Sequence, residues 1–151
     1  MITTGEILKL LPYSEPFLFV DEIIEINEKG CQGTYGFRKD LPFYRGHFKD
    51  QAVTPGVILT ECCAQIGLVC LGIYLLHNEG QTKSGNLQVA MSSAEMEYLK
   101  PTFPEEKVRV VSEKVYFRFS KLKCKVKMFN SHNEIICQGT ISGMLKREQD
   151  G

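Results

Sequence analysis

The 151-residue chain predicts an α+β fold, an antiparallel sheet of about six strands wrapped around one long central apolar helix. Two stretches carry this expectation. From Val57 to Leu76 the sequence VILTECCAQIGLVCLGIYLL is apolar on nearly every helical face, with Glu61 and Gln65 its only strongly polar side chains. A helix of that kind belongs inside a protein or a bilayer, and about 20 apolar residues suffice to span the latter. The internal carboxylate and amide, the lack of a cationic flank and the amphipathic strands that follow favour a protein core. The second stretch is Lys121 to Lys127, where lysines at 121, 123, 125 and 127 alternate strictly with Leu122, Cys124 and Val126. That is a strand with one face on a core and one in water.

The elements follow in order. Thr3 and Glu6 have capping-box spacing, so residues 1–12 hold a short helix that Pro12 stops. Phe17 to Ile26 is rich in strand formers, and Gly30 to Lys39 reads as its hairpin partner. Leu41 to Thr54 is a loop. Pro55 suits the first turn of the long helix, which ends near His77 with Asn78 and Gly80 as stop signals. Glu79 to Asn86 is a polar linker. A strand then runs from Leu87 to Ser93, extendable through Glu95 to Lys100. Strands at Lys107 to Phe119, Leu122 to Phe129 and Ile135 to Leu145 complete the sheet, with Asn130 to Asn133 as a hairpin turn. Residues 146–151 form a polar tail expected to fray.

Length and composition suggest one domain over residues 1–151, long enough for a substantial core. The 18 basic and 18 acidic residues cancel, which gives no general attraction to nucleic acid. The balance is nevertheless lopsided. Residues 98–127 hold nine Lys or Arg against three Glu, and residues 1–97 hold seven basic against 12 acidic. The basic stretch fits either a docking face for an acidic carrier or an ordinary solvated strand face, since exposed strand edges favour lysine. Six scattered cysteines lack the spacing of a metal site or a disulfide framework and read as small apolar filler. With no secretory signal evident in MITTGEILKLLPY, a reducing cytoplasm is expected.

The chemistry concentrates between residues 46 and 61. Gly46-His47-Phe48 is followed by Pro55-Gly56 and then by Glu61 inside the apolar helix. Histidine moves protons near neutral pH. The N–H groups of the first helical turn lack intrahelical partners and carry the positive end of the dipole, and Gly56 lets a ligand approach them. A carboxyl group buried in this helix is favoured in its acid form. A base, a donor site for a developing oxyanion and a buried acid within 15 residues point to proton transfer. Taken singly, His47 could be a plain loop histidine and Glu61 a structural carboxylate. Arg45, beside His47, is a candidate for the rim of the site.

These residues resemble a known family. Leu11-Pro12-Tyr13-Ser14-Glu15-Pro16-Phe17-Leu18-Phe19-Val20-Asp21 resembles the opening of the 3-hydroxyacyl-acyl-carrier-protein dehydratases of FabZ/FabA type. Gly46-His47-Phe48, then Val53-Thr54-Pro55-Gly56-Val57-Ile58-Leu59 and Glu61, resembles that family's active-site block, closer to the FabZ branch because residue 61 is glutamate. The resemblance implies a hotdog fold and the conversion of a (3R)-3-hydroxyacyl thioester to a trans-2-enoyl thioester in fatty-acid or related lipid or polyene synthesis. It implies His47 as the base at C2, the Gly56 N–H as the oxyanion donor and Glu61 as the acid at C3. It also implies an acyl tunnel lined by Phe48, Val57, Ile58 and Ala64. The substrate would arrive on the phosphopantetheine arm of acyl carrier protein. No metal or other cofactor is implied, and neither nucleic acid nor membrane is an expected partner. In the family the His and Glu of one site come from two subunits, which implies a homodimer, alone or in a trimer of dimers.

The chain departs from the family pattern at three places. Lys49-Asp50 replaces Pro-Gly after Phe48, suggesting a less tightly turned loop; Tyr13-Ser14 replaces a His-Arg pair; and Pro104-Glu105-Glu106 replaces Pro-Gly-Asp. None is expected to touch the base, the acid or the oxyanion donor. Two other roles share the fold: an acyl thioesterase, which would use a carboxylate to activate water, and a non-catalytic subunit that binds acyl carriers. The presence of both His47 and Glu61 argues against each.

Overall fold

The computed structural model describes residues 1–80 and 87–147. The first helix, α1 (Thr4–Leu10), carries the expected capping box: Glu6 N–H donates to Thr3 Oγ1 and Thr3 N–H donates to Glu6 Oε1, each at 3.1 Å. Strands β1 (Glu22–Asn27), β2 (Gly30–Gly36), β3 (Leu87–Tyr98), β4 (Lys107–Arg118), β5 (Lys121–Phe129) and β6 (Ile135–Arg147) form one antiparallel sheet, ordered β1-β2-β4-β5-β6-β3. The long helix α2 (Gly56–Asn78) lies against it, which is the hotdog arrangement. By length and hydropathy alone α2 could cross a membrane, yet from Ala64 to Leu76 it is buried throughout by this chain.

The sheet curls around α2 by two devices. Register breaks between Ile23 and Glu25, between Met91 and Ser93, and between Lys114 and Tyr116 add residues to β1, β3 and β4. Each such bulge bends its strand and tightens the twist. Small residues on the helix then let backbone approach sheet. A Cβ added at Gly67 would stand 2.9 Å from Ser112 Cβ, and one at Gly72 would stand 2.5 Å from a Leu145 methyl. The inward row of β5, Leu122, Cys124, Val126 and Met128, is fully buried, as its alternation requires.

Several boundaries differ from expectation. Only Glu22–Asn27 of the stretch from Phe17 to Ile26 is strand. Phe17, Phe19 and Val20 are apolar, but side chains of α2 hold their backbone: Gln65 Nε2 donates to Phe17 O, Phe19 N–H donates to Gln65 Oε1, and Cys62 Sγ donates to Phe19 O. β2 ends at Gly36, where Asp21 Oδ2 takes the Gly36 N–H. Pro55 is the N-cap of α2 rather than part of its first turn. The middle of that helix, Ala64–Cys70, winds as a π-helix, which the residue pattern did not signal. The stretch from Leu87 to Tyr98 is one bulged strand, and β6 includes Lys146 and Arg147, so the polar tail begins later than expected. The rest of that tail (148–151) and most of the polar linker (81–86) lie outside the described residues.

All six cysteines are buried free thiols. Burial drives the Cys62 thiol well above its ordinary pKa and pushes that of Cys124 up to about 12. In Cys63 and Cys70 a neighbouring thiol, Cys137 and Cys31 respectively, adds to the upward shift. Unionised thiols of this kind serve as apolar packing.

Candidate active site

The loop before α2 is built from a buried anchor outward. Leu41 and Tyr44 insert into the core at a 3₁₀ turn over Pro42–Arg45, and Tyr44 Oη shares a hydrogen bond of 2.5 Å with Thr54 Oγ1. His47 N–H donates to Phe43 O at 3.1 Å, and Val53 N–H donates to His47 O at 2.9 Å. Between them the chain makes a tight turn, closed by Phe48 N–H on Gln51 O and Gln51 N–H on Phe48 O. Lys49-Asp50 therefore does not loosen this loop, contrary to expectation, because backbone groups and not proline close it.

His47 is half-buried, and its ring stacks on Phe48 with centroids 3.8 Å apart. Its Nδ1 lies 2.8 Å from the carbonyl oxygen of Val53. A carbonyl can only accept, so Nδ1 carries a hydrogen, and in the neutral ring Nε2 holds the lone pair that a base needs. Phe48 is 59% exposed, and Arg45 is exposed at the end of its turn.

Gly56 opens α2. Pro55 O accepts from Ile58 and Leu59, which leaves the N–H groups of Gly56 and Val57 without a backbone partner among the described residues. Val57 points outward, 75% exposed, Ile58 is half-buried and Ala64 is buried in the core. A hollow of about 260 Å³ lies beside Gly56, walled by Thr54, Leu59, Tyr98 and Pro101 among others. Tyr98 was not singled out in the sequence. Its ring passes 3.2–3.5 Å from where a Gly56 Cβ would be, and its hydroxyl shares a 2.5 Å hydrogen bond with Thr60 Oγ1.

Glu61 stands one turn further in. Desolvation raises its pKa, and the Gln65 amide, donating to Oε2 at 2.9 Å, only partly offsets this. Gln65 is fully buried and bonded at both ends of its amide, so it fixes the carboxyl group to the Phe17–Phe19 segment. Tyr13 also belongs here. Burial raises its hydroxyl pKa, and the Glu61 charge adds to that rise. The turn at Pro104 is sharp without glycine, with Glu105 at a positive φ of 74°. Within one chain His47 bonds to Val53 and Glu61 to Gln65, and the two do not bond to each other.

The lysines of β5 do not make a face of one sign. Lys125 pairs in register with Glu113, and Glu95 and Glu97 line the same outer hollow of about 810 Å³ as Lys125 and Lys127.

Comparison with known proteins adds the following. A family model described as a FabA-like domain matches residues 11–141. A 3-hydroxyacyl-[acyl-carrier-protein] dehydratase FabZ from Rhizobium etli is 34% identical over 147 residues, covering 96% of this chain and 83% of that protein. Among solved structures, the dehydratase heterocomplex ApeI:P from Xenorhabdus doucetiae superposes with a TM-score of 0.78 at 8% identity, covering 99% of this chain and 94% of that one. A thioesterase from Haemophilus influenzae superposes at 0.68 with 15% identity, covering 100% and 96%. At such identities these two structures bear on fold alone.

Proposed function

Because the chain belongs to the FabA-like family, we propose that it is a hydro-lyase that dehydrates (3R)-3-hydroxyacyl chains on acyl carrier protein to trans-2-enoyl chains in fatty-acid or related lipid synthesis. The observation that carries the reading is the 2.8 Å hydrogen bond between His47 Nδ1 and the Val53 carbonyl. With Nδ1–H held by the Val53 carbonyl, Nε2 can take the C2 proton of a bound thioester. The C2–H electron pair becomes the C2–C3 π bond. As the C3–O bond breaks, the departing hydroxyl takes the proton of Glu61 and leaves as water. Desolvation keeps that proton on Glu61 above the ordinary carboxylate range. The free N–H of Gly56 accommodates charge building on the thioester oxygen as C2 is deprotonated. His47 ends the step protonated and Glu61 ionised, and exchange with solvent resets both. Protons and hydroxide move but no electrons pass to a carrier, so the reaction as written requires neither metal nor redox cofactor.

The site is completed by a second copy of the chain. Among the described residues, strand β3 ends the sheet with one edge unpaired over its 12 residues, and a long open edge is a template for another strand. Phe48 and Val57 add exposed apolar surface beside the site. Exposed Phe48 and Val57 and half-buried Ile58, leading toward buried Ala64, supply the wall for an acyl chain. The buried free thiols fit a reducing, cytoplasmic setting.

The test is mass spectrometry of a 3-hydroxyacyl-carrier protein incubated with the protein, beside His47→Ala. Loss of water is expected with the wild type and is expected to fall by about 10² to 10⁴ in the variant. Equal dehydration by both would remove His47 from the mechanism. Loss of the whole acyl group would make the protein a thioesterase.

A further inference from the structure

We infer that Tyr98 is the residue that sets how much room a substrate has at C2, and that Thr60 positions it. This rests on the dehydratase reading of the Gly56 site. A hollow lies beside Gly56, and on the dehydratase reading the thioester carbonyl meets the free N–H of that residue. The carbon next to that carbonyl is C2, so whatever stands over Gly56 limits what C2 can carry. That group is the ring of Tyr98, 3.2–3.5 Å from the place of a Gly56 Cβ.

Three things hold the ring there. Its backbone belongs to the β3–β6 ladder, where Tyr98 pairs with Cys137, and the next residue continues the contact through Leu99 N–H on Ile136 O. Its hydroxyl shares a 2.5 Å hydrogen bond with Thr60, one turn into α2 from Gly56. A tyrosine side chain also has only two soft torsions, so one tether fixes it. The arrangement is self-consistent, because a Cβ at 56 would crowd the ring and press it to shift by a few tenths of an ångström. The substrates that fit are 3-hydroxyacyl thioesters with two hydrogens at C2. Those carrying a 2-methyl group meet the ring.

The experiment compares kcat/KM for an unbranched and a 2-methyl 3-hydroxyacyl-carrier thioester across wild type, Tyr98→Ala, Tyr98→Phe, Thr60→Val and the double variant Tyr98→Phe/Thr60→Val. Melting curves verify that each variant folds. The wild type is expected to favour the unbranched substrate, and Tyr98→Ala to shift the ratio toward the methylated one by about 10-fold or more. Tyr98→Phe and Thr60→Val should each shift it by a smaller and similar factor, and the double variant no further, because both remove the same hydrogen bond. A wild type that dehydrates but shows no change of ratio in Tyr98→Ala would overturn the role of Tyr98 alone. Additive shifts in the double variant would overturn the role of Thr60 as its positioner. A wild type that dehydrates neither substrate would overturn the dehydratase reading and this inference with it.

Discussion

The two halves of the long helix are finished to different degrees. From Ala64 to Leu76 every residue is buried, and the sheet of the same chain provides the cover. From Gly56 to Glu61 the same helix leaves the N–H groups of Gly56 and Val57 without a backbone partner among the described residues, Val57 exposed and a carboxyl group half-buried. The difference teaches where stability and where chemistry reside. The rear half is paired and packed to completion by its own chain, and the front half keeps the open groups that the proposed substrate and second copy would engage.

That contrast can be tested from its strongest consequence to its weakest. Glu61→Gln in the front half is expected to cost about 10² to 10⁴ in dehydration rate, since the amide has no proton to give the leaving hydroxyl. Its effect on stability should have the opposite sign. Burial raises the pKa of Glu61, so the folded chain holds that proton to higher pH than the unfolded one. The contribution of this carboxyl group to stability therefore falls as pH rises from its unfolded value of about 4.3 through its raised folded value. Thermal melts should show Glu61→Gln as the more stable protein at about pH 8, with the advantage gone below about pH 4. A variant that is less stable at both ends would mean that Glu61 is a structural carboxylate.

In the rear half, Leu68→Ala should cost about 2–5 kcal/mol of unfolding free energy, because its side chain is 1% exposed and packs at Gly143. Denaturant titration measures this, and a loss under about 1 kcal/mol would show the core to be loosely packed. The smallest effect on the chain itself is expected from Val57→Asp. An exposed acid in the first turn suits the helix dipole, so monomer stability should change by only about 0.5 kcal/mol. Sedimentation velocity should nonetheless show dimers falling apart, because a charge now stands on the surface offered to the second copy. A wild type that sediments as a monomer would break the comparison at its base.

Legibility in the sequence followed the range of the interactions. The capping box of α1 spans four residues and the lysine alternation of β5 spans seven, and both read directly. The candidate block could be proposed from sequence because His47, Gly56 and Glu61 share one stretch of chain. The Phe17–Val20 segment looked like strand because its composition is that of one, while the Gln65 amide that binds its backbone lies 46 residues from Phe19. The bond between Tyr98 and Thr60 spans 38 residues, and nothing local at either position announces it. The influence of Glu61 on Tyr13 is likewise a product of the fold.

The doubly bonded Gln65 amide has one more consequence, for the order of assembly. The backbone between Phe17 and Phe19 finds its partners in side chains more than 40 residues downstream, not in a neighbouring strand. Such distant closures carry an entropic cost that the hairpins of β4, β5 and β6 avoid. The ribosome thus delivers this aromatic segment early, and it docks late, as a strap drawn over a helix that must already be there to receive it.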